Sequence, residues 1–357
     1  MKSKKDHRVF RRRFASALRF VARQRKTGQA LQRSPQNIVI LARECYGDCI
    51  LLTPLIGSLR KEYPNLSIYV VAFSQIIFNF FSADPNVTAV YHAKRKIYRY
   101  IKGILFKKFD LLFNPKDHPS THFLIQSVLI RANHKVGHFN PHHEGLFDQL
   151  ISMEPDTHES LKNLALLDLL GTKKAAAPHK PYVPAMPLSA ETASFLKTLP
   201  QGKNIGINIS TGHAGGDRTL QQWSELIQAF PDEQFIIFSS PQDIEEKKQL
   251  EQPNSNVIPS PSTRNLYEVG EIVKKLKLLI TPDTSLVHIA ACSDTPLIAL
   301  YRKYLADRTQ FGPLSTLQRV IVSQTPNVID IEPAEVSVAL EQMLQTLASQ
   351  ANEPTVS

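Results

Sequence analysis

A chain of 357 residues exceeds what one hydrophobic core usually serves, and 42% apolar with 21% charged residues excludes disorder and fibres, leaving about two globular domains. No run approaches the roughly 18 apolar residues that span a bilayer, the first 30 residues lack a secretory apolar block, and Cys45, Cys49 and Cys292 are too few for a disulfide framework, so a cytoplasmic location is expected. The formal charge of +10 is uneven: residues 1–36 hold twelve Lys and Arg against Asp6 alone, whereas the other 321 carry 30 basic and 31 acidic groups, and this near-neutral body argues against a nucleic-acid partner.

In the basic arm, residues 1–36, Phe10, Phe14, Leu18 and Val21 recur at helical spacing and predict an amphipathic helix from about Val9 to Arg25. Such a helix suits an anionic membrane surface, where each basic residue contributes about 1 kcal/mol and the rings bury apolar area. A helix docked on the body, a solvated tail and an organellar transit peptide share the pattern.

From Asn37 onward, β-branched runs alternate with helical stretches. Strands are expected at Asn37 to Leu41, Ser67 to Phe73, Val87 to Tyr91, Asp110 to Asn114 and Lys135 to Phe139, with crossover helices such as Ile50 to Glu62 and Thr121 to Ala132. Four prolines between Pro178 and Pro187 mark a linker, taken as residues 179–200. The alternation restarts over 201–330, with strands at Asn204 to Ile209, Gln234 to Ser239, Leu278 to Thr281, Leu297 to Tyr301 and Val320 to Val322. A last helical stretch, Pro333 to Ala348, is expected to cross back to the first domain. The fold class is therefore α/β, two doubly wound Rossmann-like domains facing a cleft lined by the carboxyl ends of both sheets.

Three segments carry chemistry. Gly47-Asp48 on the first strand-to-helix turn places a carboxylate at a sheet's carboxyl edge, where a general base is needed; an Asp in a first helical turn also simply stabilises the helix dipole. Ser210-Thr211-Gly212 through Arg218 supplies hydroxyls, glycines and a cation before a helix, the ingredients of a phosphate site, although a flexible connection explains the glycines as well. Asp283-Thr284-Ser285 with His288 one turn later sets hydroxyls and a buried histidine at a helix start, which an ordinary N-cap accounts for in part.

Together these segments resemble glycosyltransferase family 9, the lipopolysaccharide heptosyltransferase group. Glu44-Cys45-Tyr46-Gly47-Asp48 through Thr53-Pro54 is similar to the family's opening motif, Asp283 to Ala291 to its D-[ST]-G-x-x-H-x-A-A signature, and Phe311-Gly312-Pro313-Leu314 to the segment after it. The resemblance covers roughly residues 37 to 345. It implies the two-domain GT-B fold, an acceptor-binding domain at 37–178, a nucleotide-sugar domain at 201–330, and inverting transfer without a metal or other cofactor. It carries the general base onto Asp48, and donor contacts onto Ser210, Thr211, Arg218, Asp283, Thr284, Ser285 and His288. Glu245 matches a ribose partner, with Asp243 or Glu246 as alternatives. Three departures bear on the donor: Ser285 stands for a usual Gly, Arg218 for a usual Lys, and Tyr301 to Tyr304 for a Gly-Pro-Thr turn.

His138, His142 and His143 invite a metal reading, yet nothing nearby completes a typical site. Arg131, Lys135 and His138 are expected on the acceptor side, where phosphorylated or carboxylated sugars favour cations. The function that follows is heptose transfer from ADP-heptose to a lipopolysaccharide-core or related lipid-linked saccharide, peripheral on the inner face of the cytoplasmic membrane through residues 1–36. The alternative is an inactive GT-B protein that binds nucleotide or scaffolds envelope assembly.

Overall fold

The computed structural model describes residues 13–18, 31, 34–172, 180–211 and 218–352. The chain divides into two compact units, residues 1–185 and 186–357. Among the described residues no helix is long and apolar enough to cross a membrane.

The first unit runs β1 (Asn37–Leu41), α1 (Tyr46–Glu62), β2 (Ser67–Ala72), α2 (Gln75–Ser82), β3 (Ala89–His92), α3 (Ile97–Tyr100, continuing as a π-turn to Leu105), β4 (Lys108–Asn114), α4 (Thr121–Leu129), β5 (Arg131–His138), β6 (Gln149–Ile151) and α5 (Glu159–Leu169). Its strands are all parallel in the order β3-β2-β1-β4-β5-β6. Central strands buried on both faces read as continuous apolar runs, as Ile38-Val39-Ile40-Leu41 does. Helix α1 starts four residues earlier than its apolar pattern suggests and tolerates Pro54 in its interior. Pro54 removes the N–H that would reach the Ile50 carbonyl, and the Thr53 hydroxyl donates to that carbonyl instead, at 2.7 Å. Helix α4 ends at Leu129, three residues short of expectation, because Arg131 and Ala132 already pair with Lys108 and Phe109 of β4.

The described part of the arm is helical over 13–18, with Ala15 fully buried in the first unit's core and Leu18 packed against it. This stretch therefore packs on the body of the first unit; Phe10 and Val21 lie outside the described residues.

The second unit runs α6 (Ala190–Thr198), β7 (Asn204–Asn208), α7 (Leu220–Ala229), β8 (Gln234–Phe238), α8 (Ile244–Glu251), α9 (Leu266–Val273), β9 (Leu278–Pro282), α10 (Ser285–Ser293), β10 (Leu297–Tyr301), α11 (Leu305–Gln310), β11 (Gln318–Val322) and α12 (Pro333–Asn352). Its parallel sheet has the order β11-β10-β9-β7-β8. Residues 190–198, taken as linker, form α6, capped by the Ser189 hydroxyl and fastened where the Ser189 N–H donates to Glu268 at 2.6 Å. The stretch expected to cross back is α12, and Val336, Ala339, Leu340 and Met343 on one face of it belong to the second unit's own core. That spacing makes a single apolar stripe, and this core takes it up.

Candidate functional site

In an open parallel sheet, ligands bind at the carboxyl edge where strand order reverses. In the first unit this point lies between β1 and β4. Asp48 sits in the first turn of α1, directly after β1, buried and favourably placed on the helix dipole. Its Oδ1 lies 3.0 Å from Nε of Arg43, and Nη1 of the same guanidinium pairs with Glu159, the first residue of α5. Burial by itself disfavours the Arg43 cation, but Glu159 and Asp48 more than offset this and push its pKa up. Burial pushes the Glu159 carboxyl up, against the pull of Arg43.

Two further ion pairs surround this triad. Lys162, one turn along α5, lies 2.9 Å from Asp117 after β4. Despite burial, His118 and Lys162 hold the Asp117 carboxyl well below the usual carboxylate range. Lys116 is 3.6 Å from Glu44. His138 ends β5 at the same edge; burial pushes its pKa down to about 4, so the ring is neutral at physiological pH, and its Nε2 has no hydrogen-bond partner among the described residues. The His143 Nδ1–H donates to the His138 carbonyl at 2.9 Å.

The other two expected acceptor cations are not at this edge. Arg131 is the first residue of β5 and pairs with Lys108, the first of β4, so it stands exposed at the amino end of the sheet. Lys135 is buried, and its ammonium donates to the carbonyls of Ser127 and, at 3.3 Å, Val128, closing the last turn of α4. Cations at the carboxyl edge come from a different segment. A cavity of about 170 Å³ after β3 is lined by His92, Arg95, Lys96 and Arg99 together with Phe78 and Tyr91. Lys96 adopts left-handed backbone at the cavity wall (φ 50°), a conformation that costs a non-glycine residue energy.

In the second unit the order reverses between β7 and β9. Asn208, the last residue of β7, donates through its amide to Thr281 Oγ1 at 2.9 Å, Thr284 Oγ1 at 3.2 Å and the Ser210 carbonyl at 3.2 Å. Thr284 N-caps α10 by accepting from the Leu286 N–H at 3.3 Å. Ser210 donates to Asp243 and accepts from the Ser240 N–H at 2.7 Å, while the Ser240 hydroxyl donates to Asp243 at 2.8 Å. The loops after β7, β8 and β9 are thus sewn together by neutral donors and one carboxylate, with Thr211 half-buried beside them. The Asp283 N–H donates to the Leu300 carbonyl at 3.0 Å, Ser285 opens α10, and His288 is buried one turn later. Hydroxyls and a helix N-terminus at one sheet edge can receive the oxygens of an anion.

Arg218 and Glu245 are engaged elsewhere. Arg218 is buried over Trp223, 5.3 Å from its ring, and donates to the Ile331 carbonyl at 2.7 Å; burial pulls its pKa down to about 10, which leaves it charged. Glu245 is exposed and pairs with Lys248 at 2.8 Å, so Asp243 is the acidic residue of this loop that joins the β7 and β8 turns. Residues 212–217 of the expected phosphate loop lie outside the described residues. Glu159, Asp117, Lys162 and Asn208 had no role in the sequence reading. Glu159 opens a helix, which is a local signal, whereas Asn208 lay inside the strand expected at Asn204 to Ile209 and carried none.

The family model described as glycosyltransferase family 9 (heptosyltransferase) matches residues 97–336. Lipopolysaccharide heptosyltransferase 3 of Escherichia coli is 24% identical over 285 residues, covering 72% of this chain and 80% of that protein. The family 9 glycosyltransferase of Veillonella parvula superposes with a TM-score of 0.68 at 18% identity, covering 87% of this chain and 97% of that one. E. coli heptosyltransferase WaaC, solved with ADP-2-deoxy-2-fluoro heptose, superposes at 0.65 with 18% identity, covering 86% and 99%. The last two likenesses establish a shared fold.

Proposed function

Because the chain belongs to glycosyltransferase family 9, we propose that it transfers heptose from ADP-heptose to a lipopolysaccharide-core or related lipid-linked saccharide, inverting the anomeric centre without a metal. The donor is suggested by the ligand with which WaaC was solved, and the acceptor class by the name of the E. coli relative. The observation that carries the reading is Asp48, a buried carboxylate fixed against Arg43 at the carboxyl edge of the first sheet.

Asp48 takes the proton of the acceptor hydroxyl as that oxygen bonds to the anomeric carbon. The bond from this carbon to the diphosphate oxygen breaks, and its electron pair leaves with the diphosphate. The N-terminus of α10 and the hydroxyls of Thr211 and Thr284 offset the charge that develops there, while Ser210 holds its loop in place through Asp243. Arg95, Lys96 and Arg99 hold anionic groups of the acceptor, the role first given to Arg131 and Lys135.

Release of nucleoside diphosphate from ADP-, UDP- and GDP-sugars, with and without EDTA, tests this. Turnover is expected with ADP-heptose, unchanged by EDTA, and lowered about 10²- to 10⁴-fold by Asp48→Asn with ADP binding retained. Strict dependence on a divalent cation, or near-normal turnover of Asp48→Asn, overturns the mechanism. No release from any donor leaves the scaffold reading.

Attachment to the inner face of the cytoplasmic membrane belongs to the same proposal and is supported by the twelve cations of residues 1–36. Anionic liposomes should sediment the full chain at low salt, with loss on truncation before Asn37. Equal sedimentation of the truncated chain rules the arm out as an anchor and leaves its helix, which buries Ala15, as a structural brace.

A further inference from the structure

We propose that Arg43 and Glu159 are positioning residues for Asp48: the guanidinium shared by the two buried carboxylates aims Asp48, and Glu159 balances the charge of that guanidinium. The inference rests on the reading of Asp48 as general base and deepens it.

The geometry has two parts. Arg43 contacts Asp48 through Nε, at 3.0 Å, and Glu159 through Nη1, so one guanidinium sits between the two carboxylates. The ion pair with Glu159, a residue of α5, restricts how far the guanidinium turns away from Asp48. Helix α5 is itself fastened to α1, where the Asn163 amide donates to the Leu51 carbonyl at 3.1 Å, within one turn of both acids. The aim of Asp48 is therefore set jointly by the turn after β1 and by the starts of α1 and α5.

The second part is charge. A base that faces a buried guanidinium alone is neutralised and proton transfer to it is disfavoured. The groups facing this cluster cancel in pairs, Lys116 with Glu44 and Lys162 with Asp117, while burial raises the pKa of the Cys45 and Cys49 thiols and keeps them neutral. What remains is one cation between two carboxylates, a net charge of −1 at the sheet edge. Glu159 thus offsets part of the charge that Arg43 places beside Asp48. A Gln at position 159 has the same shape and can still accept from Arg43, so it removes the charge and keeps the packing.

The test is the pH profile of kcat for the full chain with ADP-heptose and its acceptor. Activity requires ionised Asp48 and is lost as pH falls through its titration. Glu159→Gln puts the whole charge of Arg43 on Asp48, so the acid limb should move to lower pH by roughly half to one unit while plateau kcat falls about three- to tenfold and both KM values hold. Arg43→Lys keeps a charge but one ammonium replaces the fork, so plateau kcat should fall about ten- to a hundredfold with the acid limb unmoved or shifted upward. Should Arg43→Lys fail to fold, Glu159→Gln decides alone. An acid limb unmoved or shifted upward in Glu159→Gln overturns the proposal, even if activity falls. Near-normal turnover of Asp48→Asn instead sinks the general-base reading, and is read before either variant.

Discussion

Both sheets are parallel, six-stranded in the first unit and five-stranded in the second, and each has one point where its strand order reverses, yet the residues gathered there differ in character. The first unit gathers ionised groups, Arg43, Asp48, Glu159 and Lys162 buried and Asp117 half-buried, within two helix starts and two strand ends. The second unit joins its loops with amide and hydroxyl groups from Asn208, Ser210, Ser240, Thr281 and Thr284, and a single carboxylate, Asp243. The chemistry proposed for each explains the contrast. A base must hold a negative charge in a fixed direction, which calls for cations nearby and costs desolvation that only pairing repays. A diphosphate arrives already charged, and neutral donors on a helix N-terminus receive it without repulsion.

The contrast first predicts which half is sensitive to acid. His138 has its pKa pushed down to about 4 from an ordinary 6.5, so the folded chain holds that proton less readily than the unfolded one. Stability from this group is complete above pH 6.5 and is lost as pH falls from there towards 4, amounting to roughly 3 kcal/mol at about 1.4 kcal/mol per unit. Burial shifts His143 the same way. In the second unit, Glu268 is held below the usual range by the Arg264 and Ser189 N–H groups despite burial, so it weakens folding only below that window. Urea midpoints at pH 7.5 and 4.5, followed by circular dichroism, should show a smaller acid loss for His138→Gln than for the parent chain, by about 2 kcal/mol. Fluorescence of Trp223, the chain's one tryptophan, reports the second unit and should move less. An unchanged acid loss in the variant, or a Trp223 transition that shifts as far as circular dichroism, would erase the contrast.

Which parts of this were legible in the sequence follows from the range of the interactions. Asn37 to Leu41 and Leu297 to Tyr301 were read to the residue, since a short continuous apolar run is a local signal. Asp48 and Thr284 were legible because a helix start fixes its own geometry within one turn. Glu159 was not, because its partner Arg43 lies 116 positions earlier and only the packing of α5 beside α1 brings them together. Arg131 and Lys135 were placed on the acceptor side by their charge alone, which does not tell the amino end of β5 from its carboxyl end. The start at Arg131 follows from pairing with β4, a non-local property. The three-residue strand β6 escaped notice because so short a run has no periodicity.

The smallest effect expected is at Asn208, and it sharpens the comparison most. Asn208→Ala leaves the hydroxyls of Thr281 and Thr284 and the Ser210 carbonyl without their shared donor, at a cost of about 1–2 kcal/mol that Trp223 fluorescence would report. Asn208→Asp keeps the shape, and the threonine hydroxyls can rotate to donate to the new carboxylate, so stability should change less than in the alanine variant. Its effect should fall on the anion instead. A negative charge beside the start of α10 should weaken ADP binding by about tenfold, more at low salt than at high salt because the repulsion is screened. Calorimetric titration of ADP at two salt concentrations measures this directly, and the acceptor KM should stay where it is. Equal ADP affinity for Asn208→Asp and the parent chain would mean that the diphosphate lies away from the β7 and β9 ends. The neutral network would then serve only to hold three loops together.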